Sequence, residues 1–125
     1  IKNRKDNCYI ISGGFKEIIR NVIIPFEFKE NHIYANDLIY EKNNKIMINS
    51  NNPLSKNKGK CKIAKNIKGY NIIIGDGYTD YEVKKHGYAE IFIQYIENIN
   101  RKELNTKADL IANDFQEIID FIKYV

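Results

Sequence analysis

The stretch that decides the fold is Tyr70-Asn71-Ile72-Ile73-Ile74-Gly75-Asp76-Gly77-Tyr78-Thr79-Asp80. Its three consecutive isoleucines form a short, unbroken apolar run. Such a run reads as a strand. Gly75-Asp76-Gly77 breaks the run. Thr79 or Asp80 then stands where a helix N-cap is wanted, and the helix runs to about His86 before Gly87 stops it. Strand, glycine turn and helix in that order are the building unit of a parallel sheet covered by helices. Ligands of such sheets collect at the carboxyl ends of the strands, where this turn lies.

The turn is not a dinucleotide fingerprint, because Asp80 occupies the place of the third glycine of G-x-G-x-x-G. Asp76 and Asp80 bracket the strand-to-helix turn. Two carboxylates so placed suit a hard cation such as Mg²⁺, which takes oxygen ligands and keeps several waters. The plainer alternative makes Asp76 a turn former and Asp80 a helix cap.

Toward the N-terminus the same order recurs. Cys8-Tyr9-Ile10-Ile11 reads as a strand, Ser12-Gly13-Gly14 as a turn, and Phe15 to Ile24 as a helix with Phe15, Ile18, Ile19, Val22 and Ile23 on one face. Pro25 ends it. A helix N-terminus offers unpaired N–H groups to a phosphate, Ser12 adds a hydroxyl, and Gly13 lets the backbone come close. Glycine after a strand is also an ordinary turn residue.

Between these two units, Ile33-Tyr34-Ala35, Leu38-Ile39-Tyr40 and Ile46-Met47-Ile48 are strand-like, and Asn43-Asn44 marks a hairpin turn. Asn49 to Lys58 is a polar loop, and Ser55 is placed to cap a helix to about Ile67. Lys58-Gly59-Lys60 puts a lysine where it could meet a phosphate as a point charge, or simply be solvated. After the deciding stretch come a strand at Ile91-Phe92-Ile93, a short helix near Arg101 to Thr106, a strand at Leu110-Ile111, and a closing helix with Phe115, Ile118, Ile119, Phe121 and Ile122. The expected fold is α/β: a partial three-layer, Rossmann-like parallel sheet with flanking helices and an inserted β-hairpin, in one domain over 1–125.

Composition narrows the function classes. With 43% hydrophobic and 29% charged residues the 125-residue chain is globular in type. No apolar run approaches a membrane span. Twenty Lys and Arg against sixteen Asp and Glu leave +4, spread along the chain apart from Lys56 to Lys65. That is too mild for a nucleic-acid footprint, and the Asp76/Asp80 pair would repel a phosphate backbone. Cys8 and Cys61 have no metal-type spacing, and Cys8 reads as a buried thiol; the expectation is a reducing, cytoplasmic setting. His32 and His86 read as surface or loop residues.

Taken together, Ile11-Ser12-Gly13-Gly14-Phe15, Lys58-Gly59-Lys60 and Gly75 to Asp80 resemble the second, third and fourth motifs of the haloacid dehalogenase-like hydrolases, and within them the phosphoserine phosphatase group. Ala35-Asn36-Asp37-Leu38 is similar to an Ala-Asn-x-Leu of that group, and the layout of Phe92 to Arg101 is similar too. The resemblance implies that Ser12 and the Gly13 N–H bind phosphoryl oxygens and that Lys58 neutralises phosphoryl charge. Asp76 would ligate Mg²⁺, Asp80 would hold Lys58 or a metal-bound water, and Thr79 would add a phosphate contact. It further implies a small phosphorylated metabolite as substrate and a place in serine biosynthesis. The family's Asp-x-Asp nucleophile motif has no match here, nor has its helical cap. The chain therefore reads as the C-terminal part of such an enzyme, inactive alone, whether for phosphoserine or, as a phosphatase of the same group, for another small phosphate substrate, or as a degenerate phosphate- or partner-binding domain. Without the strand that carries the first motif, the strands of Ile11 and Ile73 lack a neighbour. They are expected to pair with each other or to recruit a second chain.

Overall fold

The computed structural model describes residues 2–125. Its strands are β1 (Ile10–Phe15), β2 (Ile33–Asn36), β3 (Leu38–Tyr40), β4 (Ile46–Ile48), β5 (Ile72–Gly75), β6 (Ile91–Tyr95) and β7 (Leu110–Ala112). Its α-helices are α1 (Lys16–Ile23), α2 (Gly59–Ala64), α3 (Tyr78–Lys85) and α4 (Phe115–Ile122). The chain divides into two compact units, Ile1–Ile63 and Ala64–Val125. Each combines parallel strands with helices, the α/β class expected.

In the first unit β1 and β2 pair in parallel, Ile10 with Ile33 and Ile11 with Tyr34, and the register slips between Ile11 and Phe15. Ser12-Gly13-Gly14 therefore lies inside the bulged end of a strand, and does not form a separate turn after it. A bulge of this kind bends the strand and re-aims its side chains. The segment 33–36 belongs to this parallel pair, so the hairpin consists of β3 and β4 alone, joined antiparallel with Ile39 opposite Met47. Asp37 separates the two arrangements and closes the hairpin base, accepting from the side chains of Asn49 (2.9 Å) and Asn52 (2.6 Å). Those two amides, Asn52 first, hold the Asp37 carboxyl below its ordinary pKa.

Three expectations fail here for local reasons. Ser55 caps no helix: Asn52 caps a 3₁₀ turn at Pro53–Ser55, accepting from the Leu54 N–H at 3.0 Å, and α2 begins only at Gly59. His32 is buried at 8% exposure, stacked on Tyr9 with ring centroids 4.2 Å apart, its Nδ1 at 3.1 Å from the Cys8 carbonyl oxygen. An aromatic face and a backbone partner make burial of an imidazole affordable, and neither can be seen in the one-dimensional neighbourhood of His32. Cys61 is the buried thiol, while Cys8 is half-buried.

In the second unit β5, β6 and β7 form a parallel sheet in that order, Ile73 beside Phe92 and Ile93 beside Leu110. Ile91, Ile93, Ala112 and Ile118 form one core, flanked by Ile72, Leu110, Phe121 and Ile122. This is where the apolar stripe of α4 goes. Phe92 and Val83 are also buried, with the Tyr81 ring 5.8 Å from that of Phe92. Among the described residues, β1 has one ladder partner, β2, and β5 has one, β6. No helix among the described residues is long and apolar enough to cross a membrane.

Candidate functional site

In the second unit Gly75 ends β5 and Gly77 is the N-cap of α3. Asp76 lies between them, half-buried, which leaves its carboxylate reachable from solvent. Asp80 is the third residue of the helix and is only 5% exposed. Its Oδ2 accepts the Gly77 N–H at 3.2 Å, so it braces the loop from behind. The sequence placed the cap at Thr79 or Asp80; the cap position is Gly77, and Asp80 reaches back from inside the helix. The bracing depends on Gly75 having no side chain, since a Cβ there would fall 2.2 Å from the Asp80 Cγ. Thr79, second in the helix, is exposed.

Two residues of this unit were not singled out by the sequence. Arg101 Nη2 lies 3.4 Å from Asp76 Oδ2. Gln94, fully buried and beside Gly75 in register, donates from Nε2 to the Arg101 carbonyl at 2.9 Å. Only the adjacency of strands β5 and β6 brings them to the Asp76 loop. Among the described residues no group of three or more His, Cys, Asp or Glu could hold a metal. Asp76 fits Mg²⁺ as a single oxygen ligand, because it is an accessible carboxylate on a braced loop. Mg²⁺ commonly needs only one or two protein carboxylates beside substrate oxygens and water.

In the first unit Ser12 Oγ accepts the Gly14 N–H at 3.0 Å, which leaves the hydroxyl proton to donate outward. A Cβ on Gly13 would meet nothing within 4 Å, so the approach to its backbone is open. Helix α1 starts directly after this bulge, its N-cap residue Phe15 offering no side-chain bond to the first N–H groups. Those donors stay available for an anion.

Lys58 is exposed and sits at φ +57°, the left-handed region that ordinary residues avoid. Its carbonyl accepts the Lys62 N–H at 3.0 Å, which makes it the residue that opens α2. Lys56 is exposed in the loop before it, and Lys60 is half-buried on the helix. Gly59 is the tight point: a Cβ there would lie 2.5 Å from the Pro53 carbonyl oxygen and 2.7 Å from the Leu54 Cα. Ser12 and Gly13 are thus placed by one bulged strand, Lys58 by a crowded helix start, and Asp76, Thr79 and Asp80 by one strand-to-helix turn.

No protein-family model matches the chain. It is 31% identical over 120 residues to the chloroplastic phosphoserine phosphatase of Arabidopsis thaliana, covering 91% of this chain and 41% of that protein. It is 28% identical over 125 residues to the phosphoserine phosphatase of Homo sapiens, covering 95% of this chain and 55% of that one. The crystal structure of a phosphoserine phosphohydrolase-like protein from Francisella tularensis superposes with a TM-score of 0.79 at 32% identity, covering 91% of this chain and 54% of that chain. The chain spans about half the length of these relatives.

Proposed function

Starting from a chain that is haloacid dehalogenase-like, of the phosphoserine phosphatase type, over nine tenths of its length, we propose that it supplies the phosphate-binding and metal-binding residues of a Mg²⁺-dependent phosphomonoesterase acting on phosphoserine. The observation that carries this reading is the pair of loops just described. A bulged strand end presents Ser12 and an open Gly13, and a glycine turn presents Asp76 on a loop braced by Asp80. Ser12 donates its hydroxyl proton to a phosphoryl oxygen, and the Gly13 N–H donates to another. Lys58 brings a positive charge to the same group, and Thr79, in the turn that carries Asp76, offers a hydroxyl for a phosphate contact. Asp76 holds the cation, and Asp80 keeps Asp76 in place. A bound Mg²⁺ would supply positive charge to substrate oxygens. Sites of this kind act through positioning and charge stabilisation. Cys8 and Cys61, both present as thiols, support a cytoplasmic setting. Among the described residues β1 pairs only with β2 and β5 only with β6, and the edge each leaves open supports self-association.

One observation favours a second reading. No Asp-x-Asp occurs anywhere in the 125 residues, so no residue matches the family's nucleophile. On that reading the domain binds phosphate or a partner without turnover.

Phosphate release from phosphoserine with Mg²⁺ tests both. The 125-residue chain is expected to give no release above an Asp76→Ala control, and a form carrying an upstream Asp-x-Asp motif to give release. Turnover by the short chain above that control would overturn the assignment of what it lacks. Failure of a form with the motif, while phosphoserine still shifts the Gly13 and Gly77 amides, would favour the binding domain.

A further inference from the structure

We propose that Asn36 is a positioning residue for phosphate: it ties the Ser12-Gly13 bulge to the segment that delivers Lys58. The proposal rests on the phosphate reading above. Asn36 ends β2 opposite Phe15, immediately past the bulge, and is 6% exposed. Its Nδ2 donates to the Gly13 carbonyl at 2.9 Å and to the Leu54 carbonyl at 3.3 Å. These acceptors come from two segments distant in sequence. One is the backbone that presents Gly13 to a ligand. The other is the 3₁₀ turn on which Gly59 rests, with no room for so much as a methyl group between them. Lys58 is the residue before Gly59 and is held in the left-handed region where the turn meets the helix. A single amide group therefore sets the bulge relative to the turn, and the contact at Gly59 passes that setting on to Lys58.

Two features distinguish this from general packing. The amide orientation is decided by two carbonyl acceptors; reversing it would set an oxygen against both. The same side chain's Oδ1 is buried and has no hydrogen-bond partner among the described residues. A buried acceptor without a donor costs free energy, and such exceptions call for a reason beyond stability. Here the residue type is set by what Nδ2 must hold in register. The neighbouring Asn52 repeats the device, donating from Nδ2 to the Ala35 carbonyl at 2.7 Å. The end of β2 is thus fastened to the turn from both sides.

The test is a titration of inorganic phosphate into the ¹⁵N-labelled chain, reading the amides of Ser12, Gly13, Gly14, Lys58 and Gly59 and the Asn36 side-chain amide. In the wild type both groups of backbone amides and the Asn36 side chain are expected to move along one binding curve. Asn36→Asp, which keeps the size and loses the donor at neutral pH, is expected to weaken binding at least fivefold. It should also silence Lys58 and Gly59 while Gly13 still responds. Asn36→Gln, which keeps the donor, is expected to recover part of the affinity. Equal binding by Asn36→Asp with both groups still responding would overturn the proposal and leave the phosphate reading intact. No response at Gly13 in the wild type would overturn that reading, and the proposal with it. Should Asn36→Asp not fold, the wild-type Asn36 side-chain signal decides. If it stays still while Gly13 and Lys58 both move, Asn36 has no such role.

Discussion

Replacing Gly75 with alanine puts the bracing of the Asp76 loop under direct strain. The backbone of Gly75 belongs to a β-strand, where alanine alone is favoured over glycine by roughly 0.5–1 kcal/mol. Against this, the new Cβ would lie 2.2 Å from Asp80 Cγ, 2.3 Å from its Oδ2 and 2.8 Å from its Cβ. The side chain cannot rotate clear, because Asp80 is buried and its own Cβ is part of the clash. Overpacking of this kind costs about 1–3 kcal/mol. Losing the Oδ2 bond to the Gly77 N–H adds the loss of a cap, about 0.5–2 kcal/mol. The expected net destabilisation is about 2–3 kcal/mol. Urea unfolding followed by far-UV circular dichroism measures it, with the slope unchanged from wild type. Asp80→Ala removes Cγ and Oδ2, so Gly75→Ala should cost at least about 1 kcal/mol less in that background, a coupling that double-mutant cycles resolve. Gly75→Ala within about 0.5 kcal/mol of wild type, or additive with Asp80→Ala, would refute the argument that the glycine exists to admit the carboxylate.

Gly59→Ala meets backbone instead of a side chain, with its Cβ 2.5 Å from the Pro53 carbonyl oxygen. It should destabilise by at least about 2 kcal/mol despite alanine's better helix propensity, read by the same unfolding assay. Lys58→Gly should do the reverse, raising stability by up to about 1 kcal/mol as the left-handed strain is relieved, while phosphate binding at Gly13 weakens. Burial pushes the Asp109 carboxyl up, but the Lys84 ammonium and the Phe92 N–H outweigh it and hold its pKa below the ordinary value. A carboxyl depressed on folding stabilises above its unfolded pKa, about 3.9, and loses that contribution as pH falls through its folded pKa. The stability difference between wild type and Asp109→Asn should therefore shrink as pH is lowered from about 5 to 2, measured by thermal melts. A difference that stays constant would count against the Lys84 pairing.

What the sequence determined on its own is local. Three isoleucines followed by Gly75-Asp76-Gly77 specify a strand, a turn and a helix within one short segment, and the stripe of Phe115, Ile118 and Ile122 specifies an amphipathic helix by period alone. Gly87 at φ +75° ends α3 as its residue type foretold. These features depend on backbone sterics and on hydrogen bonds between near neighbours. The tertiary structure decided the rest. Ser12-Gly13-Gly14 reads as a turn but lies in a strand, because β2 continues to pair as far as Phe15. His32 reads as a surface residue but is covered by Tyr9. Gly59 looks like a mere companion of Lys58 until Pro53 is found against it. Arg101 reaches Asp76, and Asn36 holds Gly13 to Leu54, across separations in which residue type carries no signal of the partner. A side chain's burial and its bonding partners depend on which distant segments the sheet makes adjacent, and that adjacency is a property of the folded chain as a whole.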